Sequence, residues 1–255
     1  MSFEIAQYLP DGLSPMFAFG LIILSAFTSA VTAAFGLGGG LLLIAVMSLI
    51  MPAAIVVPVH GAVQLGSNGG RAFLRRKYIQ WQFAGWFVFG SMLGAMLGGG
   101  VAAQLPDNFF KIAIALFLLY VSWVPKPNVT KHGALSTSIA GAFTSFIGMI
   151  TGISGPLVIS FLRHLKERRE IIGTHALLLT CQNSFKLLIF IFLGFAFSDY
   201  LPLILAMVVS GFIGTYFGGL LLDKLPEKIF RLAFRFIITI VALDLLRRAI
   251  FSILS

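Results

Sequence analysis

The sequence predicts an all-α integral membrane protein made of two inverted repeats, each with five helical segments. Hydrophobic residues make up 58% of the 255-residue chain and charged residues only 11%, whereas soluble domains carry about 25% charged residues. Several apolar runs with at most one charged residue approach or reach the roughly 20 residues that span a bilayer as a helix. They cover residues 16–35, 82–103, 108–124 and 187–197. Two glycine-rich breaks and an internal duplication predict that the chain consists of two repeats.

The duplication emerges when the chain is compared with itself. Residues 93–111 (LGAMLGGGVAAQLPDNFFK) align without gaps with residues 213–231 (IGTYFGGLLLDKLPEKIFR). Two further blocks match in the same order, Gly36–Leu41 with Gly152–Leu157, and His60, Asn68 and Arg71 with His175, Asn183 and Lys186. Three ordered blocks with small gaps indicate that one half of the chain duplicates the other.

Each repeat is predicted to contain a helix, a glycine-rich break, a short apolar segment and three longer helices. The first repeat covers residues 1–125, a proline-rich cytoplasmic linker covers 126–132, and the second repeat covers 133–255. The expected segments are 16–35, 40–51, 55–74, 82–103 and 108–124, then 134–150, 156–163, 171–195, 200–222 and 227–250. Because five is odd, the second repeat must enter the membrane in the opposite orientation.

The positions of the basic residues predict the topology, and the net charge of +9 does not indicate a nucleic-acid partner. Placing the Arg75–Lys77 loop in the cytoplasm puts 14 of the 18 Lys and Arg residues on that side, in agreement with the positive-inside rule. They are Arg71, Arg75, Arg76, Lys77, Lys126, Lys131, Arg163, Lys166, Arg168, Arg169, Lys224, Lys228, Arg231 and Arg235. Lys111, Arg247 and Arg248 oppose this assignment, which also places both termini outside.

The glycine-rich stretches FGLGGGLLLI (35–44) and TGISGPLVIS (151–160) predict a re-entrant hairpin in each repeat. The segments that follow them are too short to cross about 30 Å of hydrocarbon at about 1.5 Å per residue. Each short helix therefore begins inside the protein, where its free N–H groups favour an anion. We expect Gly38, Gly39, Gly40, Ser154, Gly155 and Pro156 to bind substrate. Close helix packing is the alternative, and it is preferred for Gly94, Gly98, Gly214 and Gly218.

Polar residues form one stripe on the third helix of each repeat. At about 100° per residue, His60, Gln64, Asn68 and Arg71 fall on one helix face. His175, Asn183 and Lys186 repeat the stripe, with Leu179 in place of the glutamine. Ionisable residues inside a membrane are expensive and indicate function. We therefore predict that Asn68, Arg71, Asn183 and Lys186 line the substrate pocket, although Arg71 could instead extend to the cytoplasmic surface.

His60 and His175 are candidates for gating or proton handling, since histidine titrates near neutral pH. The alternative is a neutral side chain that forms a hydrogen bond between helices. The apolar spans carry no Asp or Glu at their middle, so the site is net positive and the substrate is expected to be an anion. The single Cys181 excludes an intrachain disulfide and cysteine-rich metal sites. No cofactor or metal is predicted, and the lipid bilayer is the expected partner.

The residues AFGLGGGLLLIAVMSLIMP followed by GSNGGRAFLRRKYIQW resemble the TauE/SafE family of sulfite exporters and organic-anion permeases. The second copy, TGISGPLVISFL and THALLLTCQNSFK, is weaker. The resemblance implies transport, most simply export, of sulfite, a sulfonate or a related sulfur oxyanion across the cytoplasmic (inner) membrane of a prokaryote. Alternating access around a midplane anion site is the expected mechanism, and a homodimer is possible.

Two other functions fit parts of the sequence. An anion channel would use the same positive site without alternating access. The GISG stretch at residues 152–155 matches the Gly-x-Ser-Gly of rhomboid intramembrane serine proteases, with His175 as a candidate base. The duplication aligns Ser154 with Gly38, which indicates a small residue at a hairpin tip and not a nucleophile. We therefore expect a transporter and no enzymatic activity.

Overall fold

A computed structural model describes residues 13–35, 38–125, 133–162, 164–165, 167–221 and 227–254 of the protein. Within these ranges the regular structure is helical, as the sequence predicts. The ten α-helices are α1 (Pro15–Phe35), α2 (Gly39–Ile50), α3 (Ala53–Leu74), α4 (Trp81–Ala102), α5 (Asp107–Trp123), α6 (Ala134–Thr151), α7 (Gly155–Phe161), α8 (Arg168–Phe192), α9 (Leu201–Leu221) and α10 (Glu227–Leu254). Short 3₁₀ turns at Arg76–Tyr78 and Phe197–Tyr200 precede α4 and α9.

The helix ends differ from the predicted ones by a few residues, and the end of α8 has an identifiable cause. This helix was expected to run to residue 195 but ends at Phe192. Gly194 has a φ of +86°, in the left-handed region that commonly terminates a helix. Beyond the helix end, the Phe195 ring packs edge-on against Phe197 and stacks on Tyr200.

The surface of the helix bundle is that of a multi-pass membrane protein. Among the residues that the structure describes, five helices (α1, α4, α6, α8 and α9) contain windows long and apolar enough to cross a bilayer, while the apolar α2 has only 12 residues. Large apolar side chains face outward on many helices, including Phe143, Leu188, Val209, Phe212 and Ile240. An apolar surface of this extent requires lipid to cover it.

The first helix of each repeat packs against the fourth helix of the other repeat. A Cβ atom at Gly94 of α4 would collide with the carbonyl oxygen of Ala142 in α6. At the matched positions, a Cβ atom at Gly214 of α9 would collide with the carbonyl oxygen of Ala26 in α1. These glycines therefore bring helices close together, as predicted for them. Gly98 likewise packs on α6, whereas the side-chain surroundings of Gly218 lie outside the described part of the chain.

The corresponding third helices α3 and α8 run antiparallel to each other. Gly61, near the start of α3, contacts Lys186, near the end of α8. Past the other end of α3, the Gln80 N–H donates to Thr174 Oγ1 over 3.0 Å. A two-fold axis parallel to the helices would make equivalent helices parallel, so the axis relating the repeats lies across them. The two repeats are inverted, while the division at residues 126–132 stays a prediction because the linker lies outside the described residues.

The two ends of the bundle carry different charges. At one end Arg75, Arg76 and Lys77 are exposed, and Arg169 at the start of α8 donates to Tyr78 Oη over 3.1 Å. The start of α3 lies at the opposite end, where the Ala53 N–H donates to Asp107 at the start of α5. Two of the four basic regions predicted to share one side, those before α4 and at the start of α8, therefore meet there. Lys126, Lys131, Arg163, Lys166 and Lys224 lie outside the described residues.

Candidate functional site

The two hairpin tips, where α1 gives way to α2 and α6 to α7, open into one cavity at the middle of the bundle. The centre of a water-sized molecule can occupy about 60 Å³ of this cavity. Ten of the twelve predicted site residues line it, namely Gly38, Gly40, His60, Asn68, Arg71, Ser154, Gly155, Pro156, His175 and Asn183. Gly39 and Lys186 are not in the lining. Thr32, Leu41, Gln64, Gly152, Ile153 and Leu179 complete the lining.

The first tip needs glycine for its backbone conformation and for its packing. Gly38 precedes α2 with a φ of +108° and no side chain caps the helix start. Its carbonyl accepts the N–H groups of Leu41 and Leu42 over 2.9 and 3.1 Å. Gly39 packs on α1 and not on the cavity, because a Cβ atom there would collide with the Thr28 carbonyl. The predicted residues Gly36 and Leu37 lie outside the described part of the chain.

The second tip has a similar shape but a shorter helix. Gly152 ends α6 with a φ of +74°, and α7 has only seven residues after its N-cap Ser154. Proline lacks an N–H group, so Pro156 lines the cavity but offers an anion no backbone donor. The α7 start therefore offers fewer donors than the α2 start, whose first residues are both glycines.

Each tip is held by a histidine from the third helix of its own repeat. His60 Nε2 lies 3.0 Å from the Gly40 carbonyl oxygen, and His175 Nε2 lies 3.0 Å from that of Gly155. The two bonds have the same spacing, since each acceptor lies 20 residues before its histidine, and the two histidines are matched positions of the duplication. A carbonyl only accepts hydrogen bonds, so Nε2 is the protonated nitrogen in both rings. Both histidines therefore form hydrogen bonds between helices, and their role in gating or proton handling stays a prediction.

The polar stripe of α3 forms one wall of the cavity. The Asn68 amide donates to the Gln64 carbonyl over 2.8 Å, and its Oδ1 accepts from Arg71 Nη2 over 2.6 Å. Asn68 is almost completely buried, so these bonds orient the Arg71 guanidinium. Among the described residues, the buried Nε atom of Arg71 has no hydrogen-bond partner. A donor left in this way beside a cavity is available to a ligand.

Lys186, the matched residue in the second repeat, has a different environment. Its side chain is 4% exposed, and its Nζ donates to the Gly152 carbonyl oxygen over 2.9 Å. The ammonium therefore binds the C-terminal end of α6 and does not face the cavity, contrary to the prediction for this residue. A cation is favourable at a helix C-terminus because the helix dipole is negative there.

Gln182 is a buried residue that sequence reasoning missed. Its Oε1 accepts from Ser154 Oγ over 2.6 Å, and its Nε2 donates to Ser91 and Thr144 over 3.0 and 2.9 Å. The amide thus joins the second tip to α4 and α6. A glutamine in an otherwise apolar helix, next to Asn183, was the available signal.

The bonding of Ser154 supports its interpretation as a small residue at the tip. Its hydroxyl donates to Gln182, while the Nε2 atom of His175 faces the Gly155 carbonyl. A serine nucleophile needs its hydroxyl hydrogen-bonded to the base. The described contacts use both groups to hold the tip.

The charges of the described lining residues favour an anion. The polar groups include the Arg71 guanidinium, two imidazoles, two asparagine amides and a glutamine amide. The described lining residues include no carboxylate. Leu41, Ile153, Pro156 and Leu179 supply an apolar wall. In such a low-polarity setting the attraction between an anion and a guanidinium is stronger than in water.

Comparison with known proteins identifies the family. The family model described as sulfite exporter TauE/SafE matches residues 21–245, nearly the whole chain. No curated protein and no solved structure matches. The matched range includes both hairpin tips and all the residues that line the cavity. The chain belongs to the sulfite exporter TauE/SafE family of membrane transporters.

Proposed function

We propose that this protein is a carrier that binds a small sulfur oxyanion, such as sulfite or a sulfonate, in the cavity between the two hairpin tips and exports it by alternating access. The single observation that carries the proposal is the meeting of both glycine-rich tips at one cavity whose described lining has a guanidinium and no carboxylate. Broken helices at matching positions of inverted repeats are typical of transporter binding sites.

The size of the cavity suits a compact anion. A water molecule needs about 10–15 Å³ of centre-accessible volume, so 60 Å³ holds on the order of four waters. Sulfite has four heavy atoms, and a short sulfonate has a few more. A larger substrate requires the tips to separate further.

The donors of the cavity suit oxygen atoms. The start of α2 presents the N–H group of Gly40 beside the cavity, and the N-cap residue Gly38 has no side chain that could occupy it. Helix N-termini carry about half a positive charge and bind oxyanions. Asn183 faces the cavity from α8, and its amide can contribute a further hydrogen bond.

The helix packing supports a specific form of rocking motion. Because α1 packs on α9, and α6 packs on α4, each hairpin is attached to the other repeat. The bodies that move in alternating access would therefore each combine helices of both repeats. The antiparallel contact of α3 with α8 would lie between them and close around the substrate.

Transport by the purified full-length protein in proteoliposomes tests the proposal. We expect saturable sulfite flux and counterflow, in which unlabelled sulfite on one side accelerates entry of labelled sulfite from the other. Flux without saturation or counterflow would establish a channel instead. Absence of flux and of thermal stabilisation with sulfite, thiosulfate, sulfate, taurine and sulfoacetate would reject the proposal.

Substitution of Asn183 links transport to the cavity. Asn183→Leu removes an amide that faces the anion, and hydrogen bonds to charged groups contribute about 1.5–3 kcal/mol. The sulfite concentration for half-maximal flux should rise at least tenfold. Ser184→Ala is the matched control on the same helix, because the Ser184 hydroxyl donates to the Thr180 carbonyl of α8 over 2.9 Å. Equal values for both variants would place substrate elsewhere.

A further inference from the structure

The two cations of the polar stripes occupy matched positions, yet their side chains do different things. Arg71 and Lys186 are 115 residues apart in the aligned repeats. If the two repeats were exactly symmetric, both side chains would make equivalent contacts. Lys186 instead donates to the Gly152 carbonyl, whereas Arg71 donates to Asn68 and lines the cavity.

The immediate contacts of Lys186 fix it in place. A Cβ atom at Gly61 would lie 2.8 Å from Lys186 Cδ, so the side chain runs closely over the backbone of α3. Its Nζ then reaches the last carbonyl of the α6 end, beside the turn at Gly152. Moving this ammonium into the cavity would leave the buried Gly152 carbonyl without its charged donor, which is costly inside a protein.

The contacts of Arg71 leave one edge of its guanidinium available. Nη2 donates to Asn68 Oδ1 over 2.6 Å, and Asn68 is itself held by its bond to the Gln64 carbonyl. The neighbouring Nε is buried without a partner among the described residues. Nη2 carries two hydrogens, so one can bond to Asn68 while the other lies parallel to the Nε–H, the edge geometry that binds two oxygens of one oxyanion.

We infer that Arg71 is the cation that contacts the transported oxyanion, and that Lys186 is a positioning residue that fastens the α6–α7 tip. This assignment rests on the proposed function and divides its site into a ligand-binding cation and a structural one. Asn68 acts through Arg71 by orienting the guanidinium. The first repeat thus provides the positive charge that contacts the anion. The second repeat provides a tip that is held in place by hydrogen bonds with Lys186 and Gln182.

The assignment also predicts how the site distinguishes anions. A guanidinium recognises two oxygens of one anion, whereas an ammonium acts as a point charge. An arginine in contact with substrate should therefore favour sulfite over chloride, and a lysine at the same position should reduce that preference. If Lys186 only holds the α6–α7 tip in place, substituting it should leave the preference for sulfite over chloride unchanged.

Binding to the purified full-length protein, measured by titration calorimetry with sulfite and with chloride as competitor, tests the assignment. Arg71→Gln should weaken sulfite binding roughly ten- to hundredfold, the loss of one or two charge-assisted hydrogen bonds. Arg71→Lys should weaken it about tenfold and lower the sulfite-to-chloride preference. The control Arg75→Gln removes an exposed charge just beyond α3 and should change binding less than twofold.

Lys186→Met provides the contrasting variant. It should lower the thermal midpoint while leaving sulfite affinity within about fivefold and the sulfite-to-chloride preference unchanged, because the cavity donors remain. Wild-type affinity in both Arg71 variants would overturn the assignment. So would a Lys186→Met protein that loses the preference to the same extent as Arg71→Lys. If the wild-type protein binds none of the oxyanions, the proposed function itself fails, which is a separate result.

Discussion

Individual glycines at the hairpin tips have different physical roles. Gly38 and Gly152 have φ values of +108° and +74°, which side chains other than glycine adopt only at a cost. Gly39 is needed for close packing on α1. Gly155 needs neither, because a Cβ atom there would lie 3.4 Å from Leu179 Cδ1, an ordinary contact. The four glycines of the two hairpin tips therefore differ in how well they tolerate substitution by alanine.

Alanine substitution in the second tip should separate these roles. Gly152→Ala introduces a Cβ at positive φ that also collides with Ile44 Cδ1, so we expect a loss of at least about 2 kcal/mol of stability. Gly155→Ala should change stability by less than about 0.5 kcal/mol. Thermal unfolding of the detergent-solubilised proteins measures both. A Gly152→Ala protein as stable as Gly155→Ala would show that the tip relaxes freely.

Ten of the twelve residues predicted for the site line the cavity, whereas Lys186, a predicted lining residue, donates to the Gly152 carbonyl instead. Lys186 was the stronger candidate because apolar residues flank it and it lies in mid-helix. Arg71 was weaker because it lies near a cytoplasmic basic cluster. Hydropathy and spacing contain no information about where a flexible side chain ends. The position of the Lys186 Nζ depends on the Gly152 carbonyl, an acceptor that is present only because α6 ends beside α8 in the folded protein.

At the level of helices, close packing between repeats depends on small residues in α4 and α9. Gly94 and Gly214 are matched positions that face backbone carbonyls of α6 and α1. In a membrane, helix association relies on such close approach, because lipid is as apolar as the side chains. The sequence predicted these contacts from four-residue spacing. It could not predict which helices pair, since the partner of each lies in the other repeat.

Substitution of these glycines should destabilise the protein to a similar extent in both repeats. Gly94→Ala and Gly214→Ala each place a Cβ against a carbonyl oxygen, and overpacking of this kind costs about 1–3 kcal/mol. Gly85→Ala on α4 is the matched control, because no atom lies within 4 Å of its Cβ position. It should be neutral or stabilising by up to about 1 kcal/mol. Thermal midpoints of the three variants decide this, and equal midpoints would contradict the packing account.

At the level of the whole molecule, the three basic residues that oppose the positive-inside assignment all form ion pairs. Lys111 Nζ lies 2.7 Å from Asp107, and Arg247 and Arg248 bind Asp244 over 2.7 and 2.8 Å. A paired cation near an acidic residue contributes less unopposed charge at the outer surface. The sequence counted these residues singly, because i to i+3 and i to i+4 pairing matters only once the helices are formed.

Accessibility of introduced cysteines tests the orientation of the entire bundle. In a Cys181→Ser background, Lys77→Cys lies at the end with the basic loops, and Ser198→Cys lies at the opposite end, after α8. If the basic end faces the cytoplasm, a membrane-impermeant maleimide should label residue 198 in intact bacterial host cells. Residue 77 should react only after permeabilisation. The reverse pattern would show that ion pairing does not explain the exceptions, and that the protein is inserted the other way round. Because both repeats contribute to each end, labelling of both sites in intact cells would contradict a single inverted-repeat bundle with one orientation.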